Sequence, residues 1–247
     1  MMTDDRLELQ VFYRDFGLDD IRNCSWASGV PLVTVSGVSP TTRCHELWSI
    51  SCSTDGGIML TSMDYLLYNA VDCRGERVAL TGGPATSRDD VSLHVYDVRA
   101  RKLDCVVNGS IARNSIPSWC PNGLRVAVSS VQHEILIWSL EGPLVEAIMR
   151  GDCPAYSPDG LGIAFVRDCR ICVSELSNLT KTVVVWDGRL VGDRLLPMIS
   201  WSIDGRYLMV AMTAGVTRKE IRFARIEIKT GVVRIYRHRG LRGLLFR

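Results

Sequence analysis

One short phrase is repeated along the chain, and this repetition constrains the fold more than any other feature. The phrase places an aromatic residue three or four positions before an Asp/Asn-Gly pair, and an apolar run follows each copy. The clear copies occupy residues 118–123 (SWCPNG), 155–160 (AYSPDG) and 200–205 (SWSIDG). Two degenerate copies, residues 25–29 (SWASG) and 71–75 (VDCRG), precede them. Repetition of this kind indicates an array of similar supersecondary units.

The phrase is typical of a β-hairpin. Its aromatic residue suits a core-facing strand position, and the Asp/Asn-Gly pair suits a turn in which the glycine needs a positive φ. The glycines recur at intervals of roughly 37 to 48 residues, near the length of one four-stranded propeller blade. Two further β-rich runs complete each unit, and no stretch has a sustained helical period. The sequence therefore predicts an all-β chain, folded as a β-propeller of four-stranded antiparallel blades.

The number of blades has two possible answers. The five phrases predict one propeller domain over residues 1–247, with blades at 22–62, 63–110, 111–150, 151–190 and 191–240, a leader at 1–21 and a tail at 241–247. At about 42 residues a blade, 247 residues have room for six. A sixth sheet would need strands from the termini, such as Leu7–Tyr13 in the leader. We expect five blades.

The repeat resembles that of the TolB-type β-propeller family. The resemblance rests on the Trp-Ser-Pro-Asp-Gly hairpin, on third strands that open with or just after a glutamate (Glu46, Glu134 and Glu220), and on a Thr-Gly turn at 230–231. It covers roughly residues 22–237 and is strongest in the last three units, because the first two lack the Pro and Asp of the turn. The WD-repeat family has a similar pattern, but its Gly-His pair is missing here. The resemblance implies the fold and leaves the function open, since one architecture hosts many functions.

Polar residues precede the predicted first strand of each blade, and they form a candidate ligand site. In five-bladed glycosidases, acids from different blades converge on the central channel, and oxygen ligands also suit Ca²⁺ or a similar hard cation. A simpler interpretation is that Asp is common in loops that enter strands. No other cofactor is expected. The candidate channel-mouth residues are Asp20, Asp64, Asn114, Asp152 and Asp193.

Charge is distributed unevenly between the two ends of the chain. Residues 1–20 carry six acidic residues and two arginines, whereas residues 218–247 carry ten basic residues and two glutamates. The basic segment is either a solvated strand face or a surface for an anionic partner. Few aromatic residues accompany the bases, so we do not expect nucleic acid. The candidate basic face consists of Arg218, Lys219, Arg222 and Arg225.

The cysteines and histidines do not predict a metal site or a catalytic site. We expect reduced thiols, mostly buried in strands and turns (Cys24, Cys52, Cys73, Cys105 and Cys120). Cys169 and Cys172 have a CxxC spacing without further ligands, so no zinc site is predicted. His45 and His133 occupy equivalent repeat positions, and we predict two surface strand starts.

Composition bounds the class of protein. Hydrophobic residues make up 47% of the chain and charged residues 23%, which is ordinary for a soluble globular protein. No apolar stretch approaches the ~18 residues of a membrane span, and the acidic first residues lead into no signal-peptide core. These features predict a cytoplasmic location, or a periplasmic or extracellular one if a leader has been removed. We expect a monomer.

Three hypotheses for function follow. The first is a non-enzymatic scaffold that binds a protein partner through its loop face or channel mouth. The second is a channel-centred glycoside hydrolase or lectin, which requires acids to converge. The third is a regulatory propeller related to those attached to peptidases. Because no nucleophile motif is present, we favour the first.

Overall fold

The protein folds as five four-stranded antiparallel sheets, as the repeats predict. This computed structural model describes residues 20–26, 32–51, 57–83, 90–188, 194–214 and 220–237. Within these ranges every sheet is ordered along the chain, so each is one complete blade. The alternative of a sixth sheet concerns the leader and the tail, and Leu7–Tyr13 and 238–247 lie outside the described residues.

Blade 1 contains β1 (Asp20–Trp26), β2 (Leu32–Val38), β3 (His45–Ser51) and β4 (Gly57–Met63). Blade 2 contains β5 (Tyr65–Val71), β6 (Arg77–Gly83), β7 (Ser92–Asp97) and β8 (Lys102–Val107). Blade 3 contains β9 (Ser118–Trp119), β10 (Arg125–Ser129), β11 (Glu134–Ser139) and β12 (Gly142–Arg150). Blade 4 contains β13 (Asp152–Tyr156), β14 (Gly162–Arg167), β15 (Arg170–Glu175) and β16 (Asn178–Asp187). Blade 5 contains β17 (Arg194–Trp201), β18 (Tyr207–Ala214), β19 (Glu220–Glu227) and β20 (Val233–Arg237).

The chain forms two compact units, residues 1–113 with blades 1 and 2 and residues 114–247 with blades 3 to 5. In the first unit, Leu47 of blade 1 and Leu80 of blade 2 belong to one buried cluster. In the second unit, one cluster joins blades 3 and 4 around Phe165, and another joins blades 4 and 5 around Leu208. Apolar residues of neighbouring sheets thus pack face to face and exclude water.

The repeated phrase forms the turn between the first and second strands of a blade. In blade 4, Gly160 has a φ of 71°, the Gly162 N–H donates to Ser157 Oγ at 2.8 Å, and Asp159 Oδ1 accepts the Leu161 N–H at 2.9 Å. The degenerate copy in blade 2 keeps this geometry because Asp72 takes the serine position, and its Oδ1 accepts the Arg77 N–H at 3.2 Å and the Glu76 N–H at 2.8 Å. The phrase is therefore structural, as its composition predicts.

The phrase also joins neighbouring blades, which the repeat pattern did not predict. Ser118, which precedes the aromatic Trp119, accepts the Tyr156 N–H of the next blade at 3.0 Å. Ser25 accepts the Val71 N–H in the same way at 3.1 Å. These bonds satisfy backbone donors at the junctions between sheets.

Bulges recur in the fourth strands of the blades. β4, β8, β12 and β16 each contain a register shift against the third strand. β20 pairs with β19 without a shift. Blade 5 therefore has a more regular edge than the other four blades.

Two expectations about burial are wrong. His45 is only 8% exposed, because it lies where β3 meets the next sheet and packs edge-on against the Tyr65 ring, with centroids 5.3 Å apart. Cys105 is exposed on fourth strand β8, whereas Cys120 is buried as expected and Cys73 is half-buried. Packing between sheets, which the local pattern does not contain, decides both positions.

Candidate functional site

The turns of blades 4 and 5 enclose a groove of 970 Å³ within the second unit. The first turn of blade 4 (157–162), the end of β15 with residues 176–177, and the first turn of blade 5 (201–205) form its walls. Arg125 of blade 3 also lines it. We call this the turn groove. Its volume lies in the range of ligand-binding clefts in proteins.

Exposed apolar side chains lie on the rim of the turn groove. Ile203 is 94% exposed and Leu161 is 69% exposed. Ile203 occupies the position that Pro121 and Pro158 hold in the sister copies. The turn itself needs no large apolar side chain there, so Ile203 is free to contact a ligand. Trp201 is held in the wall by its indole N–H, which donates to the Ala155 carbonyl at 2.9 Å.

The turn groove is acidic. Asp159, Glu175 and Asp204 line it together with a single basic residue, Arg125. The hydroxyl of Ser157 and the Leu161 N–H lower the pKa of Asp159. The pKa of Asp204 is lowered in the same way, chiefly by the Ser202 hydroxyl. Both carboxylates are therefore ionised at neutral pH.

The lining of the turn groove combines negative charge with exposed apolar surface. Two of the carboxylates are engaged by their own turns, and the exposed apolar residues beside them offer contact area. Among the described residues, no group of three or more His, Cys, Asp or Glu could hold a metal ion. The groove therefore matches a ligand that has positive charge and apolar surface.

The structure places only part of the predicted channel-mouth site. Asp64 and Asn114 are exposed residues in the segments that precede the first strands of blades 2 and 3, and Asp152 is the first residue of β13. Asp20 begins β1, but its side chain lies outside the described residues, as does all of Asp193. The hypothesis of converging acids or a bound hard cation stays a prediction.

Asp152 has a partner that the sequence interpretation missed. His133 Nδ1 lies 2.9 Å from Asp152 Oδ2, and the His133 side chain is 74% exposed, as predicted for a surface strand start. Both residues lie at the start of a strand, since His133 directly precedes β11 and Asp152 begins β13. The repeat pattern gives no sign that these two strand starts meet. The neighbouring thiol is no nucleophile, because burial, with a smaller contribution from the Asp152 charge, raises the pKa of Cys153 to about 12.

The predicted basic face lies partly on β19. Arg225 packs over the Tyr207 ring, with its guanidinium carbon 4.6 Å from the ring centroid, and Arg222 is half-buried in the same strand. Arg218 and Lys219 lie outside the described residues. Of the CxxC pair, Cys169 is exposed in the turn before β15 and Cys172 is buried in β15. Within the described ranges, no helix has the length and hydropathy needed to cross a membrane.

Similar solved structures define the class of fold. TolB from Acinetobacter baumannii matches with a TM-score of 0.73 and 14% identity, over 90% of this chain and 55% of that one. A chain of the nidogen/laminin complex matches with a TM-score of 0.65 and 10% identity, over 87% and 79%. A putative TolB from Agrobacterium tumefaciens matches with a TM-score of 0.63 and 12% identity, over 87% and 79%.

These likenesses show the fold. The protein is a TolB-like β-propeller, as its repeats indicate, and it spans about half the length of the Acinetobacter TolB chain. No family model and no curated protein matches the sequence.

Proposed function

We propose that this protein is a non-enzymatic propeller that binds a protein partner through the turn groove. The partner segment carries Lys or Arg side chains beside at least one large apolar side chain. The observation that carries the proposal is the exposed Ile203, which stands where the sister turns have proline and is flanked by ionised carboxylates.

An apolar and an electrostatic contribution to binding support this proposal. Burial of an exposed Ile or Leu side chain by a partner contributes about 1.5–3 kcal/mol. The carboxylates attract a basic segment, reject an acidic one and speed the encounter. Propellers of this fold also occur in protein assemblies, as the nidogen/laminin complex illustrates.

Selection from a displayed random peptide library tests the proposal. We expect the selected peptides to be enriched in Lys or Arg around a large apolar residue. Ile203→Ser should weaken their binding at least tenfold, because it removes the apolar contact without changing the charge of the groove. Glu175→Lys should weaken it and reduce its dependence on salt, because it removes an attractive charge.

Val131→Ser is the matched control, since Val131 is 50% exposed in a turn of blade 3 outside the groove. It should bind the selected peptides as the wild type does. Selection of peptides without basic residues, or equal binding to the Ile203→Ser variant, would show that the groove is not the site.

A further inference from the structure

In the part of the chain that the structure describes, the outer edge of blade 5 has no further strand beside it. Among the described residues, β20 pairs only with β19, and the ladder runs without interruption from Ile226–Val233 to Arg222–Arg237. The other four blades have bulged fourth strands. Bulges disturb an edge and discourage the addition of another strand. β20 lacks this protection.

The turn before β20 determines which backbone groups face the edge. The Gly231 N–H donates to the Glu227 carbonyl at 2.8 Å, and the Glu227 N–H donates to the Val232 carbonyl at 2.9 Å. Hydrogen-bonded and non-bonded pairs alternate along an antiparallel ladder. Arg234 is therefore bonded to β19, whereas the N–H and C=O groups of Val233 and Ile235 point to the free edge.

Two arginines oppose each other beside this edge. Arg234 of β20 lies directly opposite Arg225 of β19. No carboxylate of the described residues lies within ion-pair distance of either one, and the nearby Glu227 accepts the Thr230 hydroxyl at 2.7 Å. Like charges in directly opposite positions destabilise a sheet. An anion that faces both arginines would remove this repulsion.

Apolar surface continues along the same strand. Tyr236 is 45% exposed and Ile235 is 41% exposed, on opposite faces of β20. A strand that pairs with β20 can therefore cover Tyr236 on one face and Ile235 on the other. Its acidic side chains would lie only on the face of Tyr236, because Arg234 is on that face. Alternation of this kind is how added strands are recognised.

We propose that the β20 edge accepts an extended segment of an acidic, apolar protein partner as a fifth strand of blade 5. Carboxylates of that segment face Arg234 and Arg225, and its backbone bonds to Val233 and Ile235. Pairing between the β20 strands of two copies brings arginines together, which disfavours a second copy as the occupant. This surface is separate from the turn groove, which takes a basic segment.

Fluorescence anisotropy with a labelled peptide of six alternating Val and Glu residues tests the charge requirement. We expect wild-type protein to bind it and Arg234→Glu to weaken binding at least tenfold. Arg74→Glu, an equivalent change at an exposed residue in blade 2, is the control and should bind within twofold of the wild type. A peptide with Lys in place of Glu should not bind.

A second arm tests the backbone pairing without altering the protein. The same acidic peptide, N-methylated at alternate residues, keeps its side chains but loses donors to the edge. It should bind at least tenfold more weakly. The turn-groove variant Ile203→Ser should bind the acidic peptide as the wild type does. A failure of this proposal can therefore be told apart from a failure of the proposed function.

Three results would overturn the inference. The first is equal binding to wild type and Arg234→Glu, and the second is equal binding of the N-methylated peptide. The third is a different occupant, shown by Arg234-dependent binding of a single-stranded oligonucleotide without binding of the peptide, or by dimerisation that Arg234→Glu abolishes.

Discussion

A buried polar network in the first unit allows a quantitative test of how its two blades are joined. Asn69 of β5 is 1% exposed. Its Oδ1 accepts the Thr34 hydroxyl at 2.8 Å, and its Nδ2 donates to Ser36 Oγ at 3.1 Å. Thr34 and Ser36 belong to β2 and are fully buried. The network therefore links blade 1 to blade 2 by direct hydrogen bonds between side chains.

Asn69→Leu should lower the free energy of unfolding by about 2–3 kcal/mol. The change removes two hydrogen bonds worth about 1 kcal/mol each and leaves two buried hydroxyls poorly paired. The remaining acceptors are distant, since Thr34 Oγ1 lies 3.5 Å from the Ser25 carbonyl and Ser36 Oγ lies 3.4 Å from the Asn23 carbonyl. These long contacts offset part of the loss of unfolding free energy. Our value therefore lies toward the lower end of the range for buried polar groups that lose a hydrogen-bond partner.

Replacement of all three polar side chains should restore stability. The triple variant Asn69→Leu, Thr34→Val, Ser36→Ala has no orphaned hydroxyl, so we expect it within about 1 kcal/mol of the wild type. Urea denaturation followed by tryptophan fluorescence measures all the variants. The change in unfolding free energy of the double variant Thr34→Val, Ser36→Ala completes a thermodynamic mutant cycle with the other two variants. If the free-energy changes simply add, the three side chains do not act as a network and the reasoning is refuted.

Two further predictions concern the second unit. Trp201→Phe removes the indole bond to the Ala155 carbonyl while keeping an aromatic ring, so urea denaturation should show a loss of about 1 kcal/mol; an unchanged midpoint would mean that the bond contributes nothing. Asp159→Asn tests the lowered pKa of Asp159: a depressed carboxyl pKa contributes stability above the unfolded value of about 4 and loses it as pH falls. The stability gap between wild type and Asp159→Asn should thus be full at pH 7 and shrink at pH 3, and a gap that widens in acid would contradict it.

The strands and turns of this protein could be predicted from local pattern. The Asp/Asn-Gly pairs require a left-handed turn residue, and Gly123, Gly160 and Gly205 all have positive φ. The alternation of apolar residues then indicates which face of each strand is buried. Ile203 could also have been selected from the sequence, as a departure from proline within a repeated turn. Its exposure could not, because a neighbouring blade can cover the same position.

The sequence by itself determined the β-propeller fold, because hairpin turns and strand alternation are local and repeat with the blade. Only the tertiary structure decided which side chains meet. It buried His45 against Tyr65, paired His133 with Asp152, and placed Leu161 and Ile203 on one groove. The members of each pair are far apart along the chain or occupy positions that do not match in the repeat. Their contacts depend on how one sheet packs on the next, and that arrangement leaves no periodic signal in a single blade.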